Sequence, residues 1–434
     1  MRRTSVRAHD SASTLRRVLC CVLVNCALLL VACSPPADPG HTFEIIDEDG
    51  IPTAVSSAIP KYEGEIFRYE KILELRPDPD NFDETFLYEP RSFTLGDDGL
   101  FYVADTGNHR IAVFDGEGEL VHAFGREGQG PGELQRPSSV RVRDGIATVR
   151  GRRKIRFRTD GTFIDLITHD GDGEVDLADD GTRVVIDLPQ GPQDDGFYYL
   201  QARARVLDED GGVVATIETD QVAKDRMMPD PAMAREELHY GAWPHVSLLP
   251  GNEILATPGD RPVLEWYGLD GVLKRRARIE LPFEPITDQD RAAVEDRYDR
   301  LIERNMEFGA SESLRDELLG MKASAQYPER KGFWWLVEAE EPGGWIWLTV
   351  PVPHFGIYYR GVPSIAQQQF FRIVSPEGEY IGTTEWPPEV DRFATHVTRG
   401  HLLAMVADAE AGETIPTVYR ITPAVEGFDY PGGR

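Results

Sequence analysis

The chain has 434 residues, 41% of them hydrophobic, and carries a formal net charge of -28 at pH 7. This composition excludes a disordered chain and a membrane-filling protein, and it allows a large buried core. Such an acidic surface repels phosphate backbones over most of its area. Nucleic acid is therefore not an expected partner.

The first 32 residues have the features of a secretory signal peptide. Arginines precede an apolar run from Val18 to Val31, which is too short to cross about 30 Å of hydrocarbon comfortably. The run ends in Leu30-Val31-Ala32-Cys33, which resembles the lipobox of bacterial lipoproteins. The resemblance implies that residues 1–32 are removed and that Cys33 is lipidated, with residues 33–60 as a lipidated tether. An uncleaved anchor with an incidental cysteine is the alternative.

All four cysteines, at positions 20, 21, 26 and 33, lie in this leader and its end. The folded body therefore has no thiol for a disulfide bond, a cysteine metal site or a cysteine nucleophile. The residue after Cys33 is Ser34. An aspartate at this position would resemble the inner-membrane retention signal of enteric bacteria, and Ser34 does not. We therefore expect an exported protein that contacts the membrane only through its lipid, with the outer membrane favoured where the organism has one.

An acid-glycine turn recurs along the rest of the chain, each time after a β-rich run. The five copies are Glu117-Gly118, Asp160-Gly161, Asp210-Gly211, Asp270-Gly271 and Glu377-Gly378. A second glycine-bearing turn precedes each copy, and a further one lies at Arg399-Gly400. Such turns join antiparallel strands, because glycine accepts the positive φ that they need. Four short strands per unit at this spacing predict an all-β fold, a six-bladed β-propeller over residues 61–427.

The best preserved unit, residues 100–115, closely resembles an NHL repeat. Residues 125–134 follow it and resemble the segment after the first blade of NHL-like six-bladed β-propeller lipoproteins of bacteria. The last unit shows only three strands before the C-terminus. We expect the segment 67–75 to supply its fourth strand, because this closure removes exposed sheet edges.

The long connections are predicted to share one face of the ring. In antiparallel blades, the first-to-second and third-to-fourth turns lie on one face, and the other connections lie on the opposite face. The long segments belong to the second class: 126–137, 221–244, 282–332 and 351–369. Residues 287–327 are predicted to form a helical insertion, because Thr287 and Asp290 can cap a charged amphipathic run. The insertion forms a lid or a partner surface, or it plugs the ring.

Three histidines are candidate metal ligands: His245, His354 and His396. An NHL-type lyase that resembles this fold holds zinc with histidines from several inner strands, and the resemblance implies a possible zinc or calcium ion at the channel. Their spacing carries no metal signature, and isolated histidines are more often packed or solvated. No cofactor is therefore predicted from the residues themselves.

Aromatic side chains concentrate in or beside the long segments, where they can stack on sugars or anchor peptides. The candidates for ligand binding are Tyr240, Trp243, Trp334, Tyr358, Tyr359 and Arg360. The alternative is that these residues fix the inserted helices to the ring.

No motif in the sequence identifies a reaction. We expect a lipid-anchored scaffold that binds an envelope protein, a peptide or a saccharide on the face with the long segments. The alternatives are a hydrolase or lyase with a divalent metal ion at the central channel, and a purely structural envelope protein. Propellers support all three.

Overall fold

The computed structural model describes residues 40–167, 173–192, 197–227, 235–307, 309–351, 370–408 and 414–430. Within these ranges the chain forms thirty strands and three helices. Strand pairing there is antiparallel except where β2 (Ile51–Ser56) meets β23 (Leu273–Ile279). The all-β prediction is therefore confirmed.

The first third of the chain forms a hairpin, a strand that joins a later sheet, and two four-stranded sheets. The hairpin is β1 (Phe43–Glu48) with β2, and it is followed by β3 (Phe67–Glu74) and the short helix α1 (Phe82–Thr85). Sheet I contains β4 (Pro90–Leu95), β5 (Phe101–Asp105), β6 (Arg110–Phe114) and β7 (Leu120–Phe124). Sheet II contains β8 (Ser139–Arg143), β9 (Ile146–Arg150), β10 (Lys154–Arg158) and β11 (Phe163–Ile167).

The next segment forms two sheets that interleave along the chain. Sheet III contains β12 (Glu174–Leu177), β13 (Arg183–Asp187), β16 (Arg203–Leu207) and β17 (Val213–Glu218). The accessory sheet contains β14 (Gln190–Pro192), β15 (Phe197–Leu200), β18 (Val222–Met227) and β19 (Arg235–Glu237). Two of its strands come from the connection at 221–244, so this long segment is partly ordered as sheet.

The remaining strands form three sheets. Sheet IV contains β20 (His245–Leu249), β21 (Glu253–Thr257), β22 (Val263–Gly268) and β23, and the hairpin adds to its outer edge. Sheet V contains β24 (Val337–Ala339), β25 (Ile346–Thr349), β26 (Phe370–Val374) and β27 (Tyr380–Glu385). Sheet VI contains β28 (Val390–Thr398), β29 (His401–Ala407), β30 (Thr414–Pro423) and β3.

The predicted helical insertion exists between sheets IV and V. Its helices are α2 (Asp288–Glu307) and α3 (Glu312–Ser324). Asp290 accepts a hydrogen bond from the backbone N–H of Thr287 at 2.9 Å, and the Thr287 hydroxyl accepts one from the N–H of Asp290 at 3.2 Å. This reciprocal pair is the cap that the sequence predicts for the start of α2.

Hydrophobic clusters join each of the sheets I to VI to the next. Representative contributors, in ring order, are Ile111 with Val149, Ile167 with Val175, Val206 with Ile254, Trp266 with Ile346, Trp347 with Leu402, and Val418 with Val103. The first strands lie at the centre, since β4 contacts both β8 and β28. Sheets stacked in this way around a central channel form a β-propeller.

The ring is closed by strands from both ends of the described chain. β3 pairs antiparallel with β30, so that Phe67 lies opposite Pro423 and Glu74 opposite Thr417. The predicted closure by the segment 67–75 is therefore observed.

The hairpin at residues 43–56 lies inside the segment 33–60 that the sequence suggests as a tether. Its turn is Asp49-Gly50, with φ of 56° and 85°, which is the same acid-glycine turn that marks the blades. This part of the tether is therefore ordered as sheet, because its second strand, β2, pairs with β23.

Candidate functional site

The two faces of the ring differ in their connections. The turn face is defined by the glycines of the first-to-second turns, which have positive φ: Gly99, Gly145, Gly181, Gly251, Gly344 and Gly400. Antiparallel topology places the accessory sheet, α2 and α3 on the opposite face, which we call the insert face.

An arginine closes the central channel at the turn face. Arg143, the last residue of β8 in sheet II, forms ion pairs with Glu341 at 2.7 Å and with Asp179 at 3.1 Å. Glu341 follows β24 in sheet V, and sheets II and V are not neighbours in the ring. The Arg143–Glu341 pair therefore crosses the channel, and we call these three residues the channel floor.

Neighbouring turns are tied to each other around this floor. The backbone N–H of Gly251 donates to the Asp179 carboxylate at 2.7 Å, and that of Asp144 donates to Asp97 at 2.6 Å. Arg399 also pairs with Asp97, and Gly400 donates to Glu340 at 2.8 Å. These bonds join turns from successive sheets, so the turn face presents a closed polar surface.

Above the floor, side chains on the inner strands of sheets III, V and VI also have partners. His396 of β28 lies with Nδ1 2.9 Å from Glu338 Oε1 of β24, and the same oxygen accepts from the N–H of Val397 at 2.5 Å. The Lys154 ammonium reaches the inner strand of sheet III, where it pairs with Asp176 and donates to the Val175 carbonyl at 2.5 Å.

Two exposed arginines also lie on inner strands. Arg141 is the third residue of β8, and its neighbours Val140 and Val142 are buried between sheets I and II. Strand alternation therefore places Arg141 on the same side as Arg143, the side that faces the channel. Arg91 lies near the insert-face end of β4, at a β-bulge. The alternation Val-Arg-Val-Arg at 140–143 is the sequence signal for this placement.

His245 begins β20 at the insert-face end of the channel. Burial lowers the pKa of its imidazole to about 4, because the charged form loses solvation there. The ring is therefore neutral at pH 7.

The predicted metal ligands are not assembled by the described part of the chain. His245 lies at the insert-face end of its inner strand, whereas His396 lies near the turn-face end of another, next to Glu338. His354 lies outside the described residues. Among those that are described, no group of three or more His, Cys, Asp or Glu side chains is placed to hold a metal ion.

The aromatic candidates divide between core and surface. Trp334 is fully buried, and its indole N–H donates to the Thr257 hydroxyl at 2.9 Å, so it is a core residue without a face open to a ligand. Tyr240 is 5% exposed. Trp243 is half-buried with its ring 5.9 Å from that of Trp335. Tyr358, Tyr359 and Arg360 lie outside the described residues.

Tyr240 fixes the helical insertion to the ring. It packs in one cluster with Val294 and Tyr298 of α2, and the Lys331 ammonium lies 5.4 Å from the centre of its ring. Its backbone carbonyl also accepts from the N–H of Gly332 at 2.9 Å. For this residue the geometry favours the fixing role over ligand stacking.

A buried carboxylate organises the best preserved repeat. Asp105 is fully buried and accepts hydrogen bonds from the Tyr88 N–H at 2.8 Å, Asn108 Nδ2 at 2.9 Å and Arg110 Nε at 2.7 Å. The hydroxyl of Thr106 donates to the Pro137 carbonyl at 2.5 Å, which links sheet I to sheet II. These polar residues therefore hold the turn and the neighbouring sheet together.

The segment around this carboxylate matches the family model of the NHL repeat over residues 87–114. The match covers the end of the α1–β4 connection and the first three strands of sheet I, where the sequence resemblance is also clearest. No curated protein matches the chain.

Several solved structures resemble most of the chain at low sequence identity. A Bacteroides fragilis protein described as exported is 12% identical with a TM-score of 0.45, covering 85% of this chain and 99% of its own. Virginiamycin B lyase from Staphylococcus aureus is 12% identical with a TM-score of 0.32, covering 82% and 99%. Regucalcin, a calcium-binding protein from Agrobacterium tumefaciens, is 11% identical with a TM-score of 0.30, covering 82% and 95%.

Among the described residues, no helix is both long enough and apolar enough to span a membrane.

Proposed function

We propose that this protein is an exported, lipid-anchored, six-bladed β-propeller that binds an envelope protein, a peptide or a saccharide on its insert face. The observation that carries the proposal is the one-sided channel, which Arg143, Asp179 and Glu341 close at the turn face. Binding residues commonly lie on loops that a rigid scaffold holds, and here such elements rise from the insert face. The clusters that join sheets I to VI in turn support the count of six blades.

The binding face is tested with a photo-crosslinking residue placed at single exposed sites in cells. Glu295 and Glu312 are exposed on α2 and α3, whereas Glu117 and Glu209 are exposed on the turn face and serve as matched controls. We expect adducts, detected as added mass, from the two helix sites and none from the turn face. Adducts only from the turn face, or none from the helices, would contradict the proposal.

The lipid anchor is tested by the intact mass of the protein extracted from membranes. The lipobox-like segment ending at Cys33 predicts a chain that lacks residues 1–32 and carries acyl groups. Cys33→Ser is expected to keep its leader and to lose the acyl mass, while Cys26→Ser serves as the control and is processed normally. A wild-type chain that retains its leader would overturn this part of the proposal.

The alternative is a hydrolase or lyase with a zinc or calcium ion at the channel. Its support is that Glu338 and His396, both ligand-type side chains, lie 2.9 Å apart on inner strands. Elemental analysis after dialysis without chelator distinguishes the two proposals. About one tightly held ion per chain, lost in His396→Ala, supports the enzyme, and a metal-free chain supports binding alone.

A further inference from the structure

Two arginine side chains on inner strands carry positive charge above the channel floor. Arg141 is exposed, and its side chain forms no hydrogen bond or ion pair with any side chain that the structure describes. Arg91, on the inner strand of the neighbouring sheet I, is also exposed and has no such partner among the described side chains. Both residues occur in a chain whose net charge is -28, where carboxylates are abundant.

Other ionisable side chains on or beside the inner strands have partners. Arg143 is held by two carboxylates, the Lys154 ammonium pairs with Asp176, and the Glu338 carboxylate lies 2.9 Å from His396 Nδ1. The channel therefore combines a floor, whose cation Arg143 is paired, with two guanidinium groups above it that pair with no described side chain.

A guanidinium group presents a planar fork of N–H donors that matches the two oxygens of a carboxylate or a phosphate. A cleft with low-dielectric walls strengthens this attraction, because it focuses the field of the charge. The acidic outer surface repels an extended polyanion, so the matching ligand is a small molecule or a terminal group that enters from the insert face.

We propose that the channel binds the oxyanion group of a small ligand, a carboxylate or a phosphate, on Arg141, with Arg91 at the entrance. This inference rests on the proposed binding function and names the chemistry that the ligand presents to the channel. An acidic sugar or a peptide with a free carboxylate fits within the ligand classes proposed above.

The test is isothermal titration calorimetry of the full chain in detergent with three probes at matched ionic strength. Glucuronate presents a carboxylate, glucose is its neutral counterpart, and inorganic phosphate presents the alternative oxyanion. We expect saturable binding of glucuronate or phosphate and none of glucose, and the preferred probe shows which oxyanion the site favours. Arg141→Gln is expected to weaken this binding by about tenfold or more, and Arg91→Gln by less.

Arg158→Gln is the matched control. Arg158 is an exposed arginine that ends β10 in the same sheet, at the turn face, and its loss removes the same charge without touching the channel. The far-UV circular dichroism spectra and melting temperatures of the variants show that they fold.

Three results would overturn the site: no binding of either anion to the wild type, equal binding of glucose and glucuronate, or full binding by a folded Arg141→Gln variant. Crosslinking from α2 and α3 does not depend on Arg141. The anion site can therefore fail while the proposed binding face stands, and the two failures are distinguishable.

Discussion

The imidazole of His245 is kept neutral by its position at the mouth of the channel. Its folded pKa of about 4 lies below the ordinary value of 6.5. As the pH falls from about 6.5 to about 4, the imidazole of His245 binds a proton in the unfolded chain but stays neutral in the native state. Its protonation therefore lowers the stability of the fold in that pH window.

Replacing His245 with Gln is expected to remove this contribution. The free energy of unfolding of the wild type should fall by about 2 kcal/mol more than that of His245→Gln between pH 7 and pH 4.5. Urea unfolding at the two pH values measures the difference. Parallel losses in the two proteins would show that His245 is hydrated in the native state.

The buried carboxyl of Glu340 depends on a hydrogen bond from Tyr430. It is 1% exposed, burial raises its pKa, and the Tyr430 hydroxyl donates to it. Tyr430→Phe leaves a buried oxygen without this donor, so we expect a loss of about 1–3 kcal/mol in unfolding free energy. Tyr88→Phe, at a tyrosine that is 52% exposed, is the control and should change little. Equal effects would mean that the Tyr430 bond contributes nothing net.

Among the structural elements, the segment that matches the NHL repeat, residues 87–114, depends for its stability on one charge. Asp105→Asn removes the negative charge beside Arg110 and leaves fewer acceptor sites for three donors in a fully buried position. We expect a loss of about 3 kcal/mol. Asp115→Asn is the matched control, because Asp115 accepts two backbone N–H bonds in a half-buried turn of the same sheet. Thermal unfolding of both variants decides whether the buried position matters.

Most elements follow from local patterns, and the exceptions have physical reasons. Acid-glycine turns predict the blade hairpins, and the Thr287–Asp290 cap predicts the start of α2, because these signals lie within a few residues of each other. The Asp49-Gly50 hairpin carries the same signal, but it lies within the segment 33–60 that the sequence predicts as a tether. The accessory sheet joins two separate insertions, and such pairing leaves no local signal.

The candidate site is less predictable than the elements for the same reason. Its floor joins Arg143 to Glu341, 198 residues apart, and no periodicity in the sequence encodes that contact. The burial of Trp334 and Tyr240 is likewise set by the packing of distant segments. Aromatic content alone therefore predicts a ligand-binding surface, whereas the structure places these two side chains in the interior.

At the scale of the whole molecule, the N-terminal hairpin protects a sheet edge. β2 covers β23, and Ser56 accepts a hydrogen bond from the N–H of Tyr380 in sheet V at 3.0 Å. A chain that begins at residue 59 exposes the β23 edge, so we expect lower stability and concentration-dependent self-association. Light scattering after size exclusion measures this, with a chain that begins at residue 40 as the control. A monodisperse shorter chain would show that the edge is protected in another way.

The pairing of β3 with β30 also sets the order in which the protein can be completed. Arg420 pairs with Glu70 across this seam, 350 residues apart. During synthesis, β3 is made early and has no partner until β30, which ends at residue 423, has emerged. Pairing of strands so far apart in the chain is slow. Until then the nascent chain carries two open edges, which makes late synthesis the stage at which it is most exposed to aggregation and to chaperones.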